Sequence, residues 1–248
     1  MKSEKHWRPK GSSWKTGRTE PPAGSGEPGE LIFGLHAVRE ALRSGSRPVR
    51  RLVVVRTDRQ FGDLVQLARE AGVPVRIEPR QALDRLVPSG HHQGIIALVG
   101  AKAYVEPDDM LRTARERGEP ALVLLLDGVE DPHNLGAVLR TAEAAGAHGV
   151  VIPERRSVGL TATVAKASAG AVEHLPVACV PNLSRAIEQL QAQGLWVYAL
   201  DPSAQKSYTA LDVKGPVALV LGGEGKGVRA GVLDKCDDRA RIPMSGRV

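Results

Sequence analysis

Leu122-Val-Leu-Leu-Leu-Asp127-Gly-Val-Glu-Asp131-Pro-His-Asn134-Leu-Gly-Ala-Val-Leu-Arg140 is the stretch whose reading decides the fold. The apolar run Leu122 to Leu126 carries no polar alternation, the pattern of a parallel strand buried on both faces. Asp127-Gly128 is a turn signal. Asp131-Pro132 then supplies a helix N-cap followed by a proline at the first helical position. Asn134 falls in the first turn of that helix and Arg140 about two turns in. Ligands of open α/β sheets bind beyond the carboxyl ends of the strands, so this passage brings an amide and a guanidinium to the place where chemistry usually occurs. Taken alone, it also reads as an ordinary strand–helix unit with a solvated arginine.

The surrounding chain supports an α/β protein of one or two domains. Its 248 residues are 42% hydrophobic, enough for a core, and no apolar run approaches the roughly 20 residues a membrane helix needs. The charged N-terminus lacks the apolar segment of a signal peptide. Cys179 and Cys236 form neither a CxxC nor a metal-type spacing, which fits a reducing cytoplasm. The net charge of +6 is uneven. Residues 1–30 balance to +2, residues 31–119 to +4, and residues 120–248 to zero. This distribution predicts a polyanion-gripping front half and a neutral back half holding a pocket. Aromatics are only 3%, which argues against a base-stacking sheet.

Residues 1–30 read as a disordered basic tail that includes Trp7 and Trp14. A small α/β domain is expected over 31–101, with helices at 36–43, 62–71 and 81–86 and strands at 51–55, 73–77 and 95–99. Residues 102–119 read as a charged link containing one helix, Asp108 to Arg117. From residue 120 strands are expected at 121–126, 148–152, 176–180, 195–200 and 216–221. They alternate with helices at 133–145, 162–168, 183–193 and 229–235, a pattern that implies a mostly parallel sheet.

Two further stretches carry candidate chemistry. Leu221-Gly-Gly-Glu-Gly-Lys-Gly227 lets the backbone approach a ligand closely and holds one carboxylate, Glu224. It is neither a Walker A loop nor a dinucleotide fingerprint: Lys226 is followed by Gly227, and the glycines fall in the wrong register. A plain tight turn is the competing reading. In Arg241-Ile-Pro-Met-Ser-Gly246, Ile242-Pro243 reads as a strand end turning into a loop, and taken alone a structural turn is the better reading. His91-His92 lacks metal partners at ligand spacing and reads as loop histidines. His133 is equally a surface residue or an RNA contact. In Lys166-Ala-Ser168-Ala-Gly170 the small residues equally suit close helix packing.

In this order the three blocks resemble the motifs of the SpoU (TrmH-type) RNA ribose 2′-O-methyltransferases. Phe33-Gly-Leu-His-Ala-Val38 and His92-Gln-Gly-Ile95 are similar to the ends of that family's ribosomal-protein-like RNA-binding domain. The resemblance runs from about residue 31 to the C-terminus, and the layout is more like the branch that methylates a guanosine of large-subunit ribosomal RNA than the tRNA branch. It implies a C-terminal trefoil-knotted α/β domain, a rare exception to the rule that chains do not thread loops. S-adenosyl-L-methionine is the implied donor, RNA the partner and a homodimer the assembly, with no metal and no membrane. Asn134, Arg140 and Glu224 match the family's catalytic positions. Leu200, Gly222, Gly223, Gly225, Gly227, Ile242 and Met244 match the cofactor loops. A guanidinium holds its proton above about pH 12, so Arg140 suits stabilisation of an alkoxide or a phosphate, with Asn134 orienting it and Glu224 pairing with it.

Family members continue past Ile-Pro-Met through a Ser-Leu-Asn segment into a final helix, whereas this chain reaches Val248. The expectation is a truncated methyltransferase domain with an open cofactor wall and weak S-adenosyl-L-methionine binding. Beside the rRNA methyltransferase stand a tRNA methyltransferase and a non-catalytic RNA-binding dimer.

Overall fold

The computed structural model describes residues 29–58, 60–87 and 89–246. The expected basic tail, with Trp7 and Trp14, lies outside the described residues except for Gly29 and Glu30, and Glu30 already opens the first strand.

The front half is a four-stranded mixed sheet. Strands β1 (Glu30–Phe33), β2 (Val49–Val54), β3 (Val75–Ile77) and β4 (Ile95–Val99) are ordered β1-β4-β2-β3. β4 is antiparallel to both β1 and β2, and β3 is parallel to β2. Helices α1 (Leu35–Ser44), α2 (Gly62–Glu70) and α3 (Arg80–Leu86) cover it. His92 is buried rather than a free loop histidine. Its Nδ1 accepts from the Gly94 N–H at 3.0 Å, leaving Nε2 to meet Asp84 at 2.8 Å.

Helix α4 (Pro107–Arg117) is more than a link. Glu106 and Asp109 form a reciprocal capping box with Pro107 in the first turn, and Met110, Leu111 and Ala114 are buried in the core of the back half. Their spacing puts one apolar face against the sheet, which overrides the charged composition of the segment.

The back half is a six-stranded, all-parallel sheet. Its strands are β5 (Leu122–Asp127), β6 (Gly149–Pro153), β7 (Val177–Val180), β8 (Trp196–Leu200), β9 (Val217–Gly222) and β10 (Asp238–Ala240). The order is β10-β8-β9-β5-β6-β7. Helices α5 (Pro132–Ala144), α6 (Ala162–Ala167), α7 (Leu183–Ala192) and α8 (Ala230–Leu233) connect or flank the strands. β5 lies inside this sheet with Val123, Leu125 and Leu126 inaccessible to solvent; each such leucine contributes about 1.5–3 kcal/mol. From β5 the chain steps outward to β6 and β7, then crosses to β8 on the other side. The strand order therefore reverses between β5 and β9, which is where α/β sheets open a binding crevice.

Expected and observed elements differ most at β1 and β10. β10 is a three-residue edge strand, two of whose residues are charged, so no apolar pattern marks it. After it, the Arg241 N–H donates to the Lys206 carbonyl at 2.8 Å and the Tyr208 N–H donates to the Arg241 carbonyl at 2.9 Å. The final stretch thus runs along the β8–β9 connection, where the knotted passage implied by the resemblance would lie.

The two sheets share one continuous apolar cluster, running from Ile32 and Val38 to Leu126 and Leu135. Gly136 admits α6 against α5: a Cβ there would stand 2.4 Å from the Ala167 Cβ. Lys166, Ser168 and Gly170 serve packing. The Ser168 hydroxyl donates to the Ala165 carbonyl, and the Lys166 ammonium donates to the His91 carbonyl at 2.9 Å while lying over the Phe33 ring. Among the described residues no helix is long and apolar enough to cross a membrane.

Candidate active site

Four segments of the sequence reading meet along the carboxyl edge of the parallel sheet. From one side they are Arg241–Met244 after β10, Leu200 at the end of β8, Gly222–Gly227 after β9, and Asp127–Asn134 after β5. Register sets their neighbourhood: Ala240 lies beside Leu200, and Asp127 beside Gly222.

Asp131 caps α5 as its position predicts, accepting the His133 N–H at 2.6 Å, with Pro132 in the first turn. This projects Asn134 from the helix start toward the glycine loop, where its side-chain amide donates to a Glu224 carboxylate oxygen. The expected partner of Glu224 was Arg140. Six residues at about 100° each turn Arg140 well off the face that carries Asn134, so the carboxylate meets the amide instead. Arg140 is exposed, and among the described residues no hydrogen bond or ion pair engages it.

The loop glycines divide into two kinds. A Cβ on Gly222 would stand 2.1 Å from the Gly227 carbonyl carbon, and one on Gly223 would stand 1.8 Å from the Gly128 oxygen. These two allow the loop to fold on itself and to press against the turn after β5, where the Gly223 N–H donates to the Asp127 carbonyl at 2.8 Å. Gly225 and Gly227 instead have φ of +109° and +60°, with no atom within 4 Å of an added Cβ. They form the outer bend and leave backbone open to a ligand.

Sequence reasoning missed what anchors this arrangement. Asp127 is 1% exposed, and a buried carboxylate needs partners. Arg229 supplies them: its N–H reaches one carboxylate oxygen at 2.8 Å, and its Nε and Nη2 reach the other at 2.8 and 2.6 Å. Hydrogen bonding to Asp127 raises the Arg229 pKa further. An aspartate closing an apolar strand signals such a need, but not a partner 102 residues away. Arg156 was missed as well. With Gly128, Glu130, Glu224, Lys226 and Arg229 it lines a cleft of about 480 Å³.

The expected cofactor residues fall into two states. Gly222 and Gly223 are half-buried within the edge, whereas Ile242 and Met244 are 52% and 76% exposed. Leu200 is half-buried beside β10. Asp201, which follows it, accepts the Ser203 N–H and hydroxyl at 2.9 and 2.8 Å, and these hydrogen bonds lower its pKa. Among the described residues no group of three or more His, Cys, Asp or Glu is placed to hold a metal.

With this geometry in place, the back half matches the model of the SpoU rRNA methylase family over residues 121–248. The chain belongs to that family. Residues 31–105 match the substrate-binding domain of RNA 2′-O ribose methyltransferases, and the activity class is RNA ribose 2′-O-methylation. The chain is 45% identical over 220 residues to a putative TrmH family tRNA/rRNA methyltransferase, YacO, of Bacillus subtilis, covering 88% of each chain. It is 42% identical over the same span to a putative TrmH family tRNA/rRNA methyltransferase of Staphylococcus aureus, again covering 88% of each. An AdoMet-bound rRNA methyltransferase from Sinorhizobium meliloti has the same architecture, with a TM-score of 0.72 at 25% identity, covering 89% of this chain and 80% of that one.

Proposed function

We propose that this enzyme methylates the ribose 2′-hydroxyl of a guanosine in large-subunit ribosomal RNA, working in the cytoplasm as a homodimer. The cofactor is S-adenosyl-L-methionine, whose sulfonium supplies an electrophilic methyl for in-line transfer. The observation that carries the reading is the Asn134–Glu224 hydrogen bond at the point where strand order reverses, with Arg140 exposed and unengaged among the described residues about two turns further along the same helix. The two-domain layout and the likeness to the S. meliloti rRNA enzyme support ribosomal RNA.

The fit of the cofactor rests on the loop backbone. Gly225 and Gly227 leave their outer sides open, while Gly222 and Gly223 hold the loop close to β5. Leu200, Gly222, Gly223, Gly225, Gly227, Ile242 and Met244 would hold the cofactor along this edge. A protonated 2′-hydroxyl is a poor nucleophile, so the site must favour its alkoxide. Arg140 supplies a permanent positive charge to the developing alkoxide or the adjacent phosphate. Glu224 fixes Asn134, and Asn134 orients the ribose. Much of the acceleration comes from this positioning.

The deciding experiment offers labelled S-adenosyl-L-methionine with unmodified large-subunit rRNA and, separately, with unmodified tRNA. The expected result is label on the 2′-oxygen of one rRNA guanosine, lost in Arg140→Ala with an unchanged melting temperature. Label in tRNA alone would move the substrate to tRNA, and label in neither would refute the proposal.

A further inference from the structure

The neutral charge sum of the back half conceals a segregation between the two sides of its sheet. At the β8/β10 side, a cleft of about 610 Å³ is lined by Asp201, Asp234, Asp237 and Asp238 against Lys206 and Arg239. Both of those cations are already spent: Lys206 meets Asp238 at 2.7 Å and Arg239 meets Asp234 at 3.3 Å. At the β6/β7 side, a cleft of about 400 Å³ contains Arg155, Arg156 and Arg229 and no carboxylate in its lining. It adjoins the cleft of the glycine loop, since Arg156 and Arg229 line both.

The cations of this second side are not equivalent. Arg229 is held by Asp127. Arg155 and Arg156 are exposed, and among the described residues no hydrogen bond or ion pair engages either. Arg156 also holds a left-handed backbone, φ +62°, which costs a non-glycine residue about 1–2 kcal/mol. Of the nearby acids, Glu130 and Glu224 share the glycine-loop cleft with Arg156, Glu224 being hydrogen-bonded to Asn134, and among the described residues none forms an ion pair with Arg155 or Arg156.

We propose that Arg155 and Arg156 bind the phosphodiester backbone of the RNA and lead the strand from the glycine-loop cleft out over β6 and β7, away from the acidic β8/β10 side. The inference rests on the reading of this edge as the methylation site, and it adds residues that touch RNA but not the reacting atoms. A guanidinium fits phosphate oxygens in a two-pronged geometry, and the open, carboxylate-free cleft suits a continuous polyanion better than an enclosed small anion.

The test measures fluorescence anisotropy of a labelled single-stranded oligouridylate of about 20 nucleotides over a salt series. In the double variant Arg155→Gln/Arg156→Gly, affinity should fall about tenfold or more at about 100 mM salt. The slope of log K against log salt should shrink by about 1.4, from two contacts of roughly 0.7 each. Arg156→Gly alone relieves the left-handed backbone, so its melting temperature should not fall, and it should still lose part of the affinity. Lys206→Gln should leave oligonucleotide binding unchanged. Calorimetry should give an unchanged affinity for S-adenosyl-L-methionine. Unchanged oligonucleotide affinity and slope would overturn the proposal, as would a loss confined to cofactor binding, which would assign the arginines to the cofactor carboxylate. Because the readout is binding to a generic strand, a wrong choice of rRNA over tRNA would leave this result standing.

Discussion

The seam between the two sheets and the carboxyl edge of the parallel sheet both concentrate charge, and they use it in opposite ways. At the seam, Arg47 reaches both carboxylate oxygens of Glu173, and the two side chains are 3% and 0% exposed. The Ser46 hydroxyl donates to the same carboxylate at 2.8 Å, the Lys102 ammonium donates to the Glu173 carbonyl at 3.0 Å, and Glu30 takes the third arginine nitrogen at 3.3 Å. Burial lowers the Lys102 pKa, with Glu173 opposing the shift. Arg155 and Arg156 at the edge, and Arg140 about two turns into α5, are exposed and have no hydrogen-bond or ion-pair partner among the described residues. A buried, fully bonded pair fixes geometry and adds little net stability, whereas exposed unpaired cations are available to a polyanion. The seam therefore holds the substrate-binding half in a set position relative to the edge where we propose that methyl transfer occurs.

The strongest way to break this contrast is to remove one partner at the seam. Glu173→Gln leaves a buried guanidinium short of its charge partner and should cost about 3–5 kcal/mol in urea unfolding. A loss below about 1 kcal/mol would mean that Glu30 and water replace Glu173, and that the seam is not specifically locked. At the edge the effects should reverse. Arg140→Ala should reduce methyl transfer about 10²–10³-fold, the scale of losing one electrostatic contact in a transition state, while changing stability by no more than about 0.5 kcal/mol. Asn134→Ala and Glu224→Gln should follow the same pattern. If their losses multiply rather than overlap, the hydrogen bond between them is not a functional unit.

What the sequence made legible divides along similar lines. The β5 run, the Asp131 cap and the apolar strands of the back half declare themselves because propensity, pattern and capping agree. Asn134 and Glu224 are found by their motifs and do meet, yet their hydrogen bond spans 90 residues and follows from strand order. Arg229 and Arg156 carry no local signal, because an arginine in a loop looks the same whether it is solvated, anchoring Asp127 or facing RNA. β10 was legible only at its end, where Ile242-Pro243 reads as a strand end, because the strand itself is three residues long and two of them are charged. The seam was missed because residues 31–101 read as a separate unit; nothing in the spacing of Arg47 and Glu173, 126 residues apart, joins them.

Within the glycine loop the contrast can be drawn on a finer scale. Gly223→Ala forces a Cβ into the Gly128 carbonyl and should cost about 1–3 kcal/mol, with methyl transfer falling because the loop shifts away from β5. Gly225→Ala meets no atom within 4 Å and should cost only about 1 kcal/mol through its positive φ. Equal losses from the two substitutions, measured by thermal unfolding, would mean that close approach to the β5 turn is not what the first two glycines provide.

The smallest effect concerns the thiols, which belong to neither region. Burial, with Asp237 adding to it and Arg239 opposing, pushes Cys236 up to about 11, and its Sγ donates to the Val232 carbonyl at 3.3 Å. Folding thus favours the neutral thiol. Its contribution is fully present below the unfolded-state pKa of about 8.5 and is lost as pH rises through about 11. Urea stability should therefore be insensitive to this group at pH 7–8 and should decline between about pH 9 and 11, with Cys236→Ala flattening that decline. Burial and Glu154 also raise the Cys179 pKa, so at pH 8 both thiols should react with a disulfide reagent at least about tenfold more slowly in the native protein than in urea. Fast native labelling of Cys236 would show that α8 and β10 open readily, and that the acidic β8/β10 side of the sheet is far looser than the seam.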